Sequence, residues 1–256
     1  MFIGSNAKSS YLDSFLASTN ISDAGIITIN QKNSSATLKI LSGSKRQEFF
    51  YDAFPPLSME MIKPYLNCNL LIINMVSGWD IHLDTLRSIR SVYDGIICLD
   101  LHSLVTKVNA DGSRTAQKPD EFENWIQMAD IIQMNENEFN TLNSSNLSLQ
   151  EFFLNYCISK KKLINLTLSE KGSNTIYFSD WKIQNINHKA ETFAGEFEST
   201  GCGDAFMAGF VYGLLTNNTK KNCVKLANRI AAINGYYKGL PDLYELKLKL
   251  KTECIT

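Results

Sequence analysis

Apolar runs that alternate with helix-like patterns are the feature that most constrains the fold of this chain. Four runs have the length and composition of buried strands, at residues 70–76, 95–101, 130–134 and 163–168. Segments with helical periodicity separate them, and this alternation is typical of parallel βαβ units. The sequence therefore predicts an α/β fold: a doubly wound, mainly parallel sheet with helices on both faces.

The remaining elements follow from the same patterns. Helices are predicted at 80–92, 120–128, from 136 onward, and at 148–160, 204–216, 219–236 and 242–253. Asp80 and Ser148 are the expected N-caps of two of them. An antiparallel pair is expected at 174–178 and 182–187, and residues 107–118 are expected to form a polar loop. Because no Pro/Gly/Ser-rich linker interrupts the chain, residues 1–256 are expected to form a single main domain.

Composition excludes several classes of function. The chain has 256 residues with 25 Lys+Arg against 26 Asp+Glu, a net charge of −1, which argues against a nucleic-acid or anionic-membrane partner. The longest uncharged stretch, 64–79, is too short to span a bilayer, and the first residues lack the pattern of a signal peptide. Six cysteines without a Cys-x-x-Cys pair indicate free thiols in a reducing cytoplasm.

Polar residues collect after four of the predicted strands. They lie at 77–80, 100–102, 135–138 and 167–169. In open parallel sheets, ligands bind beyond the carboxyl ends of the strands. We therefore expect these segments to share one edge and to form a site there. The alternative for each segment by itself is a turn or a helix N-cap.

The segment 199–204, Ser-Thr-Gly-Cys-Gly-Asp, carries the most chemistry. Its two glycines permit a tight turn that directs backbone N–H groups at an anion, and the apolar run after it reads as a helix. An anion at a helix start meets N–H groups without intrahelical partners and the positive end of the dipole. Asp204 could accept the proton of a hydroxyl that attacks a phosphate. The alternative is a capped loop with a dipole-complementing acid.

Three motifs in order resemble those of the ribokinase-like (PfkB) carbohydrate and nucleoside kinases. Residues 198–204 resemble the signature Asp-Thr-x-Gly-Ala-Gly-Asp, residues 135–138 match Asn-x-x-Glu, and residues 166–173 are similar to the nucleotide-site stretch Thr-x-Gly-x-x-Gly. The resemblance implies an ATP-dependent kinase of a small alcohol, first a sugar and second a nucleoside. It also implies that the short strands within 26–51 form a β lid over the acceptor, through which a homodimer could form.

The resemblance assigns catalytic roles at the signature. Asp204 would be the base, and the amides of Gly201, Cys202 and Gly203 would hold the transferred phosphoryl group. Cys202 replaces the usual alanine and would be a spectator.

Other positions would serve the nucleotide and its magnesium. Glu138 would contact Mg²⁺ through water, and Asn135 would place a polar side chain near the phosphates. The alternative is that Asn135 only caps the next helix. Thr167, Ser169 and Gly172 would line the nucleotide site, with Ser169 in place of a usual glycine.

Two further positions are less determined by the resemblance. Asn228 matches an asparagine that often faces adenine in the family, and the alternative is a solvent-facing side chain. Glu198 replaces the Asp of a loop associated with a monovalent cation, so the resemblance leaves potassium dependence open.

The front of the chain departs most from the family. The family's first strand with its acceptor-binding Asp, and its Gly-Gly-x-x-x-Asn motif, have no counterpart here. We expect that the sequence starts downstream of the true start; the alternative is a shortened form with a damaged acceptor pocket. Two hypotheses for function follow, a kinase or a non-catalytic protein that binds nucleotide or another small ligand. An exposed apolar edge on a neighbouring strand is a further expectation.

Overall fold

The chain divides into two units, Met1–Asp130 and Ile131–Thr256, and each of them contains parallel strands. The structure is a computed structural model that describes residues 2–4, 13, 16, 17, 22–40, 46–158, 162–192 and 197–236. The predicted helix at 242–253 lies outside the described residues.

The first unit combines short strands with helices. Its strands are β1 (Phe2–Gly4), β2 (Ile27–Ile29), β3 (Ser35–Ile40), β4 (Arg46–Tyr51), β5 (Leu70–Asn74), β6 (Ile96–Asp100), β7 (Thr106–Val108) and β8 (Arg114–Ala116). Its helices are α1 (Met59–Ile62), α2 (Leu83–Val92) and α3 (Phe122–Met128). Strands β5 and β6 pair in parallel, from Leu70↔Ile96 to Asn74↔Asp100. Because α2 connects them and buries Leu86 and Ile89 completely, this part is the predicted βαβ unit.

Asp80 does not cap the helix that follows β5. Helix α2 begins at Leu83 with His82 at the N-cap position. The Asp80 carboxylate instead accepts hydrogen bonds from the amides of Ser77, at 2.9 Å, and Gly78, at 3.2 Å. The predicted cap is therefore wrong, because the carboxylate closes the turn at the end of the strand.

The segment predicted as a polar loop, 107–118, contains the β7–β8 hairpin. Asp111 closes its turn by accepting hydrogen bonds from the backbone and side chain of Ser113, and Gly112 takes a φ of +82°. The sequence carried a signal for this hairpin, since Asp-Gly between short polar strands is a common turn. The polarity of the strands themselves concealed it.

The short strands within 26–51 belong to two separate sheets. Strand β2 pairs in parallel with β1, whereas β3 and β4 form an antiparallel hairpin. The hairpin continues toward β8 through a hydrogen bond of 2.9 Å from the Phe50 amide to the Gly112 carbonyl. The predicted strands are present, and their role as a lid over an acceptor stays a prediction.

Arg114 ties this hairpin to the rest of its unit. Its side chain is 3% exposed and lies 2.8 Å from the Glu48 carboxylate on β4. It also donates to the carbonyls of Val76 and Ser77, each at 3.1 Å, and lies 4.5 Å from the centre of the Phe50 ring. The β3–β4 hairpin is thus anchored to the backbone that follows β5.

Strand β5 presents the apolar edge that the sequence led us to expect. Within the described part of the chain, β6 is the one strand that pairs with β5. Ile72 on β5 is 44% exposed, and Val76 just beyond it is 51% exposed.

The second unit combines a parallel pair with an antiparallel extension. Its strands are β9 (Ile131–Asn135), β10 (Leu163–Thr167), β11 (Ser173–Ser179) and β12 (Lys182–His188), and their order in the sheet is β9-β10-β11-β12. Its helices are α4 (Glu136–Leu142), α5 (Leu149–Tyr156), α6 (Cys202–Leu215) and α7 (Lys220–Asn234). Ser148 caps α5 as predicted, because its hydroxyl accepts from the Glu151 amide.

Helices α6 and α7 pack closely through the small face of α6. A Cβ added at Gly209 would lie 3.0 Å from the Ala227 Cα, and one at Gly213 would lie 3.0 Å from the Cys223 Cα. The absence of side chains at these two glycines therefore allows the backbone of α7 to approach α6 closely. The described helices include none that combines the length and apolar character needed to cross a membrane.

This contact predicts the cost of filling the helix interface. Gly209→Val should destabilise the protein by about 1–3 kcal/mol, because overpacking at a backbone contact forces the two helices apart. Urea unfolding measures the change. Ala208→Val on the exposed neighbouring position is the control and should cost about 0.5 kcal/mol through helix propensity alone. Equal losses in the two variants would contradict the packing argument.

Candidate functional site

The candidate anion cradle is the turn that opens α6. Gly201 occupies the N-cap position with a φ of +78°, and the helix starts at Cys202. Within the turn, the Cys202 amide donates to the Ser199 carbonyl at 3.2 Å, and the Ala205 amide donates to the Gly201 carbonyl at 2.9 Å. The Cys202 amide therefore already has a partner in the turn. The amides of Gly201, Gly203 and Asp204 are the further candidate donors to an anion at this turn.

The two glycines of the motif differ in backbone conformation. The left-handed backbone conformation lies at Gly201, where L-residues are strained. Gly203 lies inside the helix without a positive φ, and a Cβ there would be 3.8 Å from the Gln133 side-chain nitrogen. The conformational need for glycine is therefore at position 201 alone, whereas the sequence suggested a tight turn that used both glycines.

Asp204 lies in the first turn of α6 and is exposed to solvent. Helix α6 has 14 residues, so its aligned peptide dipoles extend over almost four turns. The candidate base is thus held on a regular element beside the cradle amides.

Asn135 and Glu138 bind each other at the start of α4. The Asn135 side chain accepts from the Glu138 amide at 2.9 Å, and the Glu138 carboxylate accepts from the Asn135 backbone at 2.8 Å and side chain at 2.5 Å. This is a reciprocal capping box, and Glu138 is only 8% exposed. The helix-cap alternative therefore describes the observed contacts, and any ligand role of Glu138 must share its carboxylate with this cap.

The loop after β10 contains the proposed nucleotide residues. Thr167 stands beside Asn135 in the register of β9 and β10. Ser169 is exposed with a φ of +52°, which explains why glycine suits that position. Gly172 has a φ of +97°, and a Cβ there would lie 2.0 Å from the His188 carbonyl. Glycine at 172 is thus required by the approach of the chain's own backbone.

Asn228 is buried inside the second unit. Its side chain is 6% exposed, and its amide nitrogen donates to the Ser173 hydroxyl and the Val224 carbonyl, both at 2.8 Å. The solvent-facing alternative is wrong. The contacts show Asn228 joining α7 to the beginning of β11.

The predicted residues are joined by contacts that the sequence did not reveal. Gln133 on β9 donates to the Gly203 carbonyl at 2.9 Å, which connects the cradle to the strand that ends in Asn135. Asn234 at the end of α7 donates to the Thr200 carbonyl at 3.4 Å. Lys171 pairs with Glu136 at 3.1 Å, although both side chains are half exposed and the pair contributes little stability. Long-range contacts of this kind have no local sequence signal.

No metal cluster is evident at the site. Within the ranges that the structure describes, His, Cys, Asp and Glu side chains form no group of three that could hold an ion. Residues 193–196, which precede Glu198 in the sequence, lie outside the described ranges, so the cation loop suggested by the resemblance stays untested.

Burial governs the chemistry of Cys202. It raises the pKa of this thiol above its ordinary value, and the charges of Glu198 and Asp204 add to the effect, while Asn234 opposes it. The raised pKa keeps the thiol protonated at neutral pH and makes it a poor nucleophile.

This shift predicts slow modification of Cys202. At pH 7, iodoacetamide should label the exposed Cys68 well before Cys202, as measured by peptide mass spectrometry over time. Because the thiol must ionise to react, labelling of Cys202 should accelerate as the pH rises above the usual thiol value of about 8.5. Preferential labelling of Cys202 at neutral pH would contradict its assignment as a spectator.

Comparison with known proteins finds similarity to several kinases. Residues 1–241 match the pfkB family carbohydrate kinase description. An ATP-dependent 6-phosphofructokinase from Thermoanaerobacterium thermosaccharolyticum is 25% identical over 237 residues, which cover 86% of this chain and 69% of that protein. A ribokinase from Lactococcus lactis is 31% identical over 134 residues, 49% of this chain and 40% of that protein.

Solved structures share the fold. A pyrophosphate-dependent kinase in the ribokinase family superposes with a TM-score of 0.75 at 16% identity, covering 95% of this chain and 84% of that one. At this identity the likeness speaks for the fold alone. It confirms the predicted α/β class with a mainly parallel sheet.

Proposed function

Because this chain belongs to the pfkB family of carbohydrate kinases, we propose that it transfers the γ-phosphoryl group of ATP to a hydroxyl of a small molecule, with a sugar as the first candidate. One observation carries the proposal: the left-handed turn at Gly201 opens a 14-residue helix with Asp204 in its first turn. An anion site and an acid–base group are thereby adjacent on one rigid element.

The cradle supplies binding and charge stabilisation. Phosphoryl transfer requires positioned donors around the oxygens on which negative charge develops. The Gly201 and Gly203 amides and the dipole of α6 meet this need, and the absence of side chains lets phosphate oxygens approach the backbone. Cys202 contributes through its place in the turn, since its own amide bonds to Ser199.

Asp204 would act as the base. The acceptor hydroxyl would lose its proton to the Asp204 carboxylate while its oxygen bonds to the γ-phosphorus, and the bond from that phosphorus to the bridging oxygen would break to release ADP. A positioned carboxylate in this role contributes about 10²–10⁴ in rate.

The residues present fit a magnesium ion held through water. Magnesium keeps several waters and needs few carboxylates, so the absence of a three-ligand group among the described residues is compatible with it. Glu138 would accept hydrogen bonds from its waters with lone pairs that Asn135 leaves unused. When bound, the ion would neutralise part of the charge on the phosphates.

The nucleoside would lie beside the loop of Thr167, Ser169 and Gly172. Ser169 is exposed and available, whereas Gly172 serves the close backbone contact with β12 and Asn228 serves the contact with Ser173. We therefore assign Gly172 and Asn228 a role in shaping this part of the site. Because a structural relative is a pyrophosphate-dependent kinase, pyrophosphate should be tested as a phosphoryl donor beside ATP.

Two alternatives remain within the same fold. The acceptor could be a nucleoside, or the protein could bind nucleotide without transferring phosphate. A panel of sugars and nucleosides with ATP distinguishes the three outcomes. A cytoplasmic location and a homodimer through the β3–β4 hairpin are further proposals, the latter tested by sedimentation of the full chain.

If this turn is an anion cradle, substitutions of its two glycines should have different consequences. Gly201→Ala should lower stability by about 1–2 kcal/mol, because an L-residue is strained at a φ of +78°, and should weaken ATP binding. Gly203→Ala should leave stability equal or higher, since alanine favours a helix, yet should still weaken ATP binding by obstructing the phosphate. Calorimetry and urea unfolding measure the two effects. Unchanged ATP affinity in both variants would refute the cradle.

If Asp204 is the base, the Asp204→Asn variant should lose turnover selectively. The rate should fall by about 10²–10⁴-fold while ATP affinity changes little, because the amide keeps the shape of the carboxylate without accepting the proton. Asp84→Asn removes a first-turn carboxylate from α2 and should leave turnover unchanged. If Asp204→Asn retains the original rate, the base lies elsewhere. If the original chain binds ATP but phosphorylates nothing in the panel, the non-catalytic alternative is favoured.

A further inference from the structure

A row of buried polar side chains crosses the sheet of the second unit. Gln133 on β9 stands opposite Asn165 on β10, which in turn stands opposite Thr175 on β11. Directly paired residues project from the same face of a sheet, so the three side chains lie side by side. They are 2%, 0% and 0% exposed.

Burying three polar side chains in a sheet costs free energy unless they form hydrogen bonds. The Thr175 hydroxyl donates to the Asn165 side-chain oxygen at 2.7 Å, a contact internal to the row. Gln133 differs from the other two, because its side-chain nitrogen reaches out of the sheet and donates to the Gly203 carbonyl at 2.9 Å.

The bonded carbonyl belongs to the peptide unit that joins Gly203 to Asp204. A peptide unit is planar and trans, so fixing its carbonyl also fixes the opposite N–H, which is the Asp204 amide in the first turn of α6. One hydrogen bond from the sheet thus sets the orientation of a cradle amide and the backbone of the candidate base.

We propose that Gln133 is a positioning residue that locks the first turn of α6 for anion binding. It acts through the Gly203 carbonyl and does not itself contact the phosphates. This inference rests on the proposed function for the identity of the anion, a phosphoryl donor, while the locking itself is a property of the protein alone. None of the three recognisable motifs includes this residue.

The row provides a matched control. Gln133→Met keeps the length of the side chain and removes the donor to Gly203. Thr175→Val keeps its shape and removes a buried hydrogen bond of the same row that does not touch α6. Both variants should lose stability in urea unfolding, since each removes a hydrogen bond made by a buried side chain.

Amide exchange of the full chain without ligand tests the locking. The Cys202 and Ala205 amides, which donate to Ser199 and Gly201, should exchange about tenfold faster in Gln133→Met than in Thr175→Val when read residue by residue by NMR. This follows from loss of roughly one hydrogen bond of local stability. Equal exchange in the two variants would overturn the proposal.

Binding of inorganic pyrophosphate, measured by calorimetry, tests the consequence. Gln133→Met should weaken binding about tenfold, and Thr175→Val should leave it unchanged. Equal weakening in both would overturn the proposal, because it would show a general effect of lost stability. If the unsubstituted chain binds neither pyrophosphate nor ATP, the proposed function fails, and the exchange experiment still decides the role of Gln133.

Discussion

The register between β9 and β10 is the constraint on which the candidate site depends. It places Asn135 beside Thr167 at the carboxyl ends of the two strands and Gln133 beside Asn165 in their middle. A shift of one residue would move every side chain of a strand to the other face. The Gly203 carbonyl would then lose the hydrogen bond from Gln133, and the capping box at Asn135 would no longer stand beside Thr167 at the end of β10. Pairing of the sheet therefore determines the arrangement of a candidate site at the start of a helix.

The site also shows how residues combine structural and functional roles. Glu138 closes a capping box while it is proposed to face magnesium waters, and Gly172 admits a neighbouring backbone while it borders the proposed nucleotide loop. Such overlap follows from the position of the site at strand ends, where turns and helix starts need the same polar groups and glycines that a phosphate ligand needs. A structural reason for a residue therefore does not compete with a functional one.

Local patterns predicted the elements well where hydrophobic periodicity was strong. Prediction and structure agree within a few residues for β5, β6, β9 and β10, for the described helices of the second unit and for the cap at Ser148, because burial imposes their spacing. The β7–β8 hairpin was missed because its strands are polar and short. Asp80 was misassigned because an acid near a helix start can serve either the helix or the preceding turn, and the choice depends on backbone geometry that the sequence does not display.

The sequence by itself determined the family, the α/β class and the residues around which a phosphate site could form, since glycine turns, capping residues and strand patterns are local properties of the chain. Only the tertiary structure decided how those residues are used. It assigned the left-handed turn to Gly201, turned Asn228 toward Ser173, and brought Gln133 under Gly203 across 70 positions of the chain. These outcomes depend on contacts between distant segments, and such contacts arise only when the whole sheet and its helices are packed together.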